Sequence, residues 1–232
     1  APQGQLARVA GRWPGRQAVR LDQGYLFADD FAPANKSFTV EAWLRVLGPG
    51  THRGNSDSTN GTLLSVGGGY WDGWRVTLSY PSRVLGFEIG RPQPSHSVGM
   101  QTTSVADGVW HHLAASWDGQ TMRVYVDGLL AGSGAYAGAY TPPGDKHFRV
   151  GYAGAGWGSV VMDADEVVVF GRAKSAVEIL ADAHFYAPLA EADAERFRAA
   201  ERLLDSKDTA AASAGFAALA GSKGLDEGYR AV

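Results

Sequence analysis

The feature that most constrains this chain is a series of short segments in which apolar and polar residues alternate. In residues 38–46 the apolar side chains stand at every second position, and residues 74–80, 111–117 and 122–126 repeat the pattern. Alternation with period two is typical of strands that bury one face and leave the other to the solvent. In residues 38–46 we therefore predict that the face containing Phe38 and Val40 is the core face.

Turn signals close several of these segments. Asp118-Gly119 separates two alternating segments, and Asp127-Gly128 follows the second of them. Aspartate-glycine pairs between alternating segments favour tight hairpins. Long helical periodicity is absent before residue 187. The sequence therefore predicts a mainly β fold, an antiparallel two-sheet sandwich or jelly roll, rather than an alternating α/β architecture.

Composition changes near residue 187. All seven Trp and 27 of the 31 Gly precede it, whereas residues 187–232 contain 14 Ala and no Trp. We predict a β domain over residues 1–186 and a short helical extension over residues 187–232. The extension reads as helices over residues 189–204 and 209–220, with Ser206 or Asp208 as the N-cap of the second helix.

One predicted strand, residues 165–170, has apolar side chains on both faces. Val167 and Val169 would fill one face, and Val168 and Phe170 the other. Two explanations stand side by side: the helical extension or a partner packs over Val168 and Phe170, or the strand lies in the middle of a sandwich.

Charge and composition exclude several functional classes. Lys and Arg number 21 against 24 Asp and Glu, a net charge of −3, which gives no general reason to bind nucleic acid. The chain lacks cysteine, so disulfides and thiolate metal sites are excluded. No apolar segment reaches the roughly 20 residues of a membrane-spanning helix. The chain begins at Ala1 rather than Met, which favours a secreted protein or a fragment boundary, and we expect an extracellular or periplasmic location.

Several of these segments also contain recognisable sequence motifs. Residues 38–43 (FTVEAW), 108–114 (GVWHHLA), 125–128 (YVDG) and 165–167 (DEV) stand in an order and spacing that resembles the laminin-G-like, concanavalin-like jelly-roll family over residues 21–183. The resemblance implies a two-sheet antiparallel sandwich. It also implies a structural Ca²⁺ where the DEV strand begins, at Asp165, with Asp22 close by if the first and last strands pair.

The C-terminal segment has a second resemblance. Residues 196–204 followed by residues 210–220 resemble one tetratricopeptide-type helical hairpin. A single repeat leaves its apolar face uncovered, which indicates a truncated array, packing on the sandwich, or self-association.

Candidate ligand contacts lie in aromatic, glycine-rich loops. Aromatic rings stack on the apolar faces of sugars, and a few polar groups bind the hydroxyls. One segment combines both kinds of residue, namely Tyr70, Trp71, Asp72, Trp74 and Arg75, and a second glycine-rich loop adds Trp157. In contrast, Trp43, Trp110 and Trp117 occupy strand positions, where packing within the sandwich is expected.

Two catalytic alternatives have some support. A glycoside hydrolase needs two carboxylates across the scissile bond, and Asp163, Asp165 and Glu166 are the dense acidic cluster. A lyase would use Tyr125 with His112. The sequence lacks the signatures that resembling hydrolases and lyases carry.

Binding rather than turnover is therefore the predicted function. We expect a noncatalytic module, supported by Ca²⁺, that binds a glycan or a protein surface, with no catalytic residues assigned. A polysaccharide-degrading enzyme and an assembly module that self-associates through its helical extension are the alternatives.

Overall fold

A computed structural model of the chain divides into two units, Ala1–Ala183 and His184–Val232. The predicted division, between residues 186 and 187, lies three positions later. The structure describes residues 3–13, 15–29, 37–50, 60–67, 72–79, 84–90, 96–101, 105–138, 140, 142–144, 146–151, 158–183, 196, 199, 202–203 and 208–220.

Twelve strands and one helix make up the described part of the first unit. They are β1 (Gln3–Ala10), β2 (Gln17–Ala28), β3 (Phe38–Pro49), β4 (Asn60–Val66), β5 (Trp74–Ser79), β6 (Val84–Ile89), β7 (His96–Gln101), β8 (Trp110–Trp117), β9 (Thr121–Val126), β10 (Leu129–Ala135), β11 (Phe148–Val150), β12 (Val160–Phe170) and α1 (Ala176–Ala183). All the strand pairs between them are antiparallel. The antiparallel jelly-roll sandwich predicted from the sequence is confirmed.

The strands form two sheets that share β2. The first sheet has the order β10-β9-β8-β3-β12-β2, with β1 on the other side of β2, and the second has the order β11-β4-β5-β6-β7. The N-terminal half of β2 pairs with β12 around Leu21, and its C-terminal half pairs with β11 around Phe27. One strand therefore passes from the first sheet into the second.

The core lies between the two sheets. Phe38, Val40 and Leu44 of the first sheet and Trp74 and Phe87 of the second are at most 1% exposed. They belong to one continuous apolar cluster, in which the Phe38 and Trp74 rings stack with centroids 5.2 Å apart. The predicted core face of residues 38–46 is confirmed. We call the opposite side of each sheet its outer face.

Both predicted hairpin turns are present. Asp118 caps the β8–β9 turn, since its carboxylate accepts the backbone N–H groups of Gln120 and Thr121. Between β9 and β10, Asp127 and Gly128 have φ values of 49° and 78°. Two successive positive φ values are those of a type I′ turn, whose twist matches the twist of the paired strands.

The predicted strand of residues 165–170, which has apolar side chains on both faces, belongs to β12 and lies inside the first sheet. Val167 and Val169 pack against the core, whereas Val168 is 44% exposed. Phe170 on the same outer face lies under the ammonium group of Lys174, 4.2 Å from the ring centroid. The explanation that places the strand in the middle of the sandwich is the better one. The expectation that both faces are covered is wrong at Val168.

Helix α1 follows β12 and packs on the outer face of the first sheet. Ser175 and Glu178 form a reciprocal capping box, in which Ser175 Oγ accepts the Glu178 N–H and the Glu178 carboxylate accepts the Ser175 N–H. The buried side of α1 presents Ile179, which clusters with Ala114 of β8 and Tyr125 of β9. This helix covers one corner of the sheet.

In the second unit the structure describes one continuous helix, α2 (Thr209–Ala220). Asp208 is its N-cap, because Asp208 Oδ1 accepts the Ala211 N–H at 3.1 Å. Asp208 is one of the two N-caps that the sequence predicts. Four described residues of the preceding segment, Arg196, Ala199, Arg202 and Leu203, are helical. The rest of the first predicted helix lies outside the described residues. The described part of the second unit therefore does not support a tetratricopeptide-like hairpin. Within the described part of the chain, no helix has the length and apolar character to cross a membrane.

Candidate functional site

The predicted ligand contacts fall partly outside the described residues. Tyr70, Trp71 and Trp157 belong to that group. Asp72, Trp74 and Arg75, which follow directly in the chain, are described and lie where the loop after β4 enters β5.

Trp74 is a core residue. Its side chain is 0% exposed and packs against Phe38 and Phe148 from the other core strands. The prediction that Trp74 stacks on a sugar is wrong. The alternation of β5 begins at Trp74 itself, so the first residue of the strand already points inward and only the residues before it belong to the loop.

Arg75 lies on the outer face of the second sheet and is nevertheless 1% exposed. Its guanidinium donates from Nε to Glu88 Oε2 at 2.6 Å, and its Nη2 also pairs with that oxygen. Glu88, opposite it in β6, is 23% exposed at the side chain. Arg75 was predicted to hydrogen-bond a ligand directly. In the structure it holds Glu88 in place, and Glu88 is the more accessible member of the pair.

Asp72 is half-buried and closely packed. A Cβ added to Gly90, at the end of β6, would lie 2.4 Å from the Asp72 backbone nitrogen, so glycine is required for this approach. The Asp72 charge also acts on Tyr140, whose pKa is raised by burial and, second, by this carboxylate. Asp72 is thus tied to the sandwich at Gly90 and Tyr140.

Glu88 is part of a polar row across the outer face of the second sheet. In register, Arg149 of β11 faces Ser65 of β4, Ser65 faces Arg75, and Arg75 faces Glu88. Adjacent strands lie about 4.8 Å apart, so the row extends over about 14 Å. Sequence reasoning missed Glu88, although the alternation of β6, with Phe87 and Ile89 buried on either side of it, places it outward.

The two predicted calcium ligands do not come together. Asp163 faces Arg20 and Ala164 faces Val19, so Asp165 falls opposite Ala18, four residues from Asp22. At 3.3 Å per residue the two carboxylate positions are about 13 Å apart. Among the described residues no group of three His, Asp or Glu side chains is arranged to hold an ion. Asp22 and Asp165 therefore do not fit one shared calcium site.

One carboxylate of the hydrolase alternative, Asp163, is held by two arginines. Asp163 is 0% exposed and accepts hydrogen bonds from Arg20 and Arg45. Burial alone would raise its pKa, but these hydrogen bonds outweigh burial and lower the pKa below its ordinary value. A general acid in glycoside hydrolysis needs a raised pKa, which makes Asp163 unsuited to that role.

The residues of the lyase alternative are both closed off from solvent. Tyr125 is 3% exposed and packs with Ile179 of α1. His112 is 2% exposed, and its Nε2 lies 3.7 Å from Glu41 Oε2. Both side chains are buried in packing on the outer face of the first sheet.

A titratable cluster that sequence reasoning missed lies at one end of the sandwich. His111 Nδ1 is 2.8 Å from Asp127 Oδ2, and its Nε2 is 3.3 Å from Asp107 Oδ1. Asp127 also accepts the His112 N–H at 2.9 Å. The hydrogen bond to Asp127 is the main cause that raises the pKa of His111. The cluster joins the type I′ turn to the segment before β8.

Similarity to known proteins agrees with this architecture. A laminin G family model, described as the concanavalin A-like lectin/glucanases superfamily, matches residues 20–180. A sushi, von Willebrand factor type A, EGF and pentraxin domain-containing protein 1 from Rattus norvegicus is 29% identical over 121 residues, which is 48% of this chain and 3% of that protein. The chain thus spans a small part of this curated relative.

Solved structures give the same fold. The binding domain of Paraclostridial Mosquitocidal Protein 1 superposes with a TM-score of 0.60 at 13% identity, over 79% of this chain and 47% of that chain. Domain 4 of AbnA, an extracellular arabinanase from Geobacillus stearothermophilus in complex with arabinotriose, has a TM-score of 0.58 at 17% identity, over 78% of this chain and 82% of that chain. Since the family model covers most of the two-sheet unit, the chain belongs to the concanavalin A-like lectin/glucanases superfamily.

Proposed function

We propose that the chain is a noncatalytic binding module and that its ligand is a glycan. The observation that carries the proposal is the polar row on the second sheet, in which the buried Arg75 fixes the partly exposed Glu88, two residues before the Gly90 that Asp72 approaches. A fixed carboxylate is suited to binding sugar hydroxyls, and the aromatic residues that precede Asp72 in the sequence are suited to stacking on sugar faces.

Two similarities support a binding role. The AbnA domain of the same fold is in complex with arabinotriose, and the Mosquitocidal Protein domain is a binding domain. The proposed contacts are Trp71 and Trp157 for stacking, with Asp72 and Glu88 as polar partners and Arg75 as the residue that positions Glu88. An extracellular or periplasmic location belongs to the same proposal.

The test is a panel of neutral polysaccharides, followed for both retained protein and released sugar fragments. Retention without fragments supports the proposal, and fragments would show catalysis instead. Trp71→Ala and Trp157→Ala should abolish retention if these rings stack on the ligand. Trp110→Ala, on the first sheet, is the matched control and should leave retention of neutral glycans unchanged.

Calcium enters the proposal only at Asp165, the position that the family resemblance implies. The same panel run with calcium and with chelator tests it, because loss of retention in chelator requires a metal. Chelator-insensitive retention would remove calcium from the proposal and leave the glycan site untouched.

A second candidate, an assembly module, rests on exposed leucines at the edge of the first sheet. In β10, which pairs with β9, Leu129 and Leu130 are 67% and 56% exposed. An uncovered apolar edge strand favours association with another chain. Light scattering of the full chain at increasing concentration tests this candidate. A monomer at every concentration would exclude self-association, and Leu129→Glu should abolish any association that appears.

A further inference from the structure

Four side chains form a second row, on the outer face of the first sheet. Asp163 of β12 faces Arg20 of β2 on one side and Arg45 of β3 on the other, and Arg45 faces Trp110 of β8. The row therefore crosses four adjacent strands, about 14 Å from end to end at the usual strand spacing. It lies on the opposite side of the sandwich from Arg75 and Glu88.

The row offers hydrogen-bond donors to the solvent. Asp163 accepts from Nε and Nη2 of Arg20, at 2.6 and 2.9 Å, and from the same two nitrogens of Arg45, with Nε at 2.8 Å. A guanidinium has five N–H groups, so each arginine keeps three on the side away from Asp163. The side chains of Arg20 and Arg45 are 37% and 27% exposed. The buried carboxylate thus fixes two accessible guanidinium groups.

The two ends of the row differ in charge. Arg20 has Asp22 two residues along the same face, and its pKa is raised by the hydrogen bond to Asp163 and, at longer range, by the Asp22 charge. At the other end, Asp163 is the one described carboxylate that pairs with Arg45. Asp22 balances the charge of the Arg20 end, whereas the Arg45 end has no second carboxylate among its described partners.

Apolar surface flanks the Arg45 end. The Arg45 guanidinium carbon lies 5.0 Å from the centroid of the half-buried Trp110 ring, a cation–π contact that orients the guanidinium. Leu47, two residues after Arg45 at a bulge of β3 against β12, is 42% exposed. Oriented donors next to aromatic and aliphatic surface suit a ligand that carries an acceptor group beside C–H groups.

We propose that Arg45, Trp110 and Leu47, with Arg20 in support, bind the carboxylate of an acidic sugar in a glycan. A guanidinium presents parallel N–H groups that match the two oxygens of a carboxylate, and the sugar ring attached to it supplies the C–H surface for Trp110 and Leu47. The site is separate from the neutral-glycan site on the second sheet and does not depend on it.

The test compares one sugar with and without its charge. Isothermal titration calorimetry measures binding of the full chain to oligogalacturonate and to its fully methyl-esterified form. Esterification removes the carboxylate charge and keeps the sugar ring, so the ester should bind at least about tenfold more weakly. Equal affinity for both forms, or no binding of the acid form, overturns the proposal. So does equally tight binding of dextran sulfate, which would show a response to charge alone.

Variants locate the site. Arg45→Lys keeps the charge but loses the parallel N–H groups, and it should weaken oligogalacturonate binding at least about tenfold. The matched control is Arg123→Lys, on β9, whose partly exposed side chain pairs with Asp118 and should leave binding unchanged. Equal losses in both variants overturn the assignment. Thermal melting of each variant verifies that it is folded.

A measurement on the unchanged protein covers the case in which Arg45→Lys does not fold. The Nε–H resonance of Arg45 and the indole N–H resonance of Trp110 should shift in NMR spectra when oligogalacturonate is added, and not with the ester. Shifts confined to other residues overturn the site. Trp71→Ala separates the two proposals, because it should abolish neutral-glycan retention while oligogalacturonate binding persists.

Discussion

The outer faces of the two sheets bury opposite members of an ion pair. On the first sheet the carboxylate of Asp163 is fully buried, and its partners Arg20 and Arg45 are 37% and 27% exposed. On the second sheet Arg75 is 1% exposed, and its partner Glu88 is 23% exposed. The first sheet therefore presents hydrogen-bond donors to the solvent and the second presents an acceptor.

This difference sets which ligand each face can accept. Donors fixed by a buried carboxylate bind groups that only accept, such as carboxylates, whereas a fixed carboxylate binds hydroxyl groups that donate. Arginine–carboxylate pairs thus yield two chemically distinct surfaces. Which surface results depends on whether the carboxylate or the arginine is the buried partner.

The largest expected effect comes from the second sheet. Glu88→Gln removes the charge of the carboxylate that pairs with the fully buried Arg75, and breaking a buried pair is costly because the arginine charge stays out of water. We expect a loss of about 3 kcal/mol in the free energy of unfolding, measured by urea denaturation. Glu166→Gln, an exposed carboxylate, is the control and should change stability by less than about 0.5 kcal/mol. Equal effects of the two variants would show that the Arg75 pair contributes no more than a surface charge.

Removing the carboxylate charge of the ion pair on the first sheet should cost less free energy of unfolding than on the second. Asp163→Asn removes a buried charge, but Arg20 and Arg45 are accessible and regain water, so we expect a loss of about 1 to 2 kcal/mol. The lowered pKa of Asp163 means that its contribution is present above the unfolded value of 3.8 and is lost as the pH falls through the folded value. The difference between wild type and variant, measured by urea denaturation, should therefore shrink below about pH 4. A difference that persists undiminished at lower pH would contradict this.

The stabilisation by His111 should depend on pH in the opposite direction to that by Asp163. Its pKa is raised above 6.5, mainly by the hydrogen bond to Asp127, so its stabilisation is complete below 6.5 and is lost as the pH rises through the folded value. We expect His111→Gln to cost about 1 kcal/mol at pH 6 and less at pH 9, measured by urea denaturation. A cost that grows with pH would show that the neutral imidazole is the stabilising form.

The smallest effect concerns calcium. If calcium binds at Asp165, Asp165→Asn should abolish the increase in Tm that calcium causes, whereas Asp22→Asn should preserve it, because the two carboxylate positions are about 13 Å apart. Differential scanning calorimetry with calcium and with chelator measures both variants. Loss of the calcium response in Asp22→Asn alone would place the ion on β2.

The strands that carry a local pattern were predictable from sequence. Residues 38–46 alternate strictly and form most of β3. The two aspartate-glycine pairs mark turns that the structure contains. Trp74 was misassigned because the aromatic residues before it form one cluster with it in sequence, although the alternation of β5 starts at Trp74. Helix α1 has only eight residues, too few for clear helical periodicity.

The two polar rows were not predictable, for a physical reason. Arg20 and Asp163 are 143 residues apart, and they meet because β2 and β12 pair in one particular register. Local alternation places each residue on the outer face, but the partner that it faces depends on strand order and register. Arg75 looked like a ligand contact since its burial depends on packing that the sequence pattern does not carry.

The sharing of β2 between the two sheets affects how the molecule unfolds. Residues 19–21 complete the hydrogen-bond ladder of the first sheet, and residues 26–28 complete that of the second. Detachment of this one strand exposes an unpaired edge in each sheet and opens the apolar layer between them. We therefore expect the two sheets to unfold together, in one cooperative transition that the continuity of this single strand imposes.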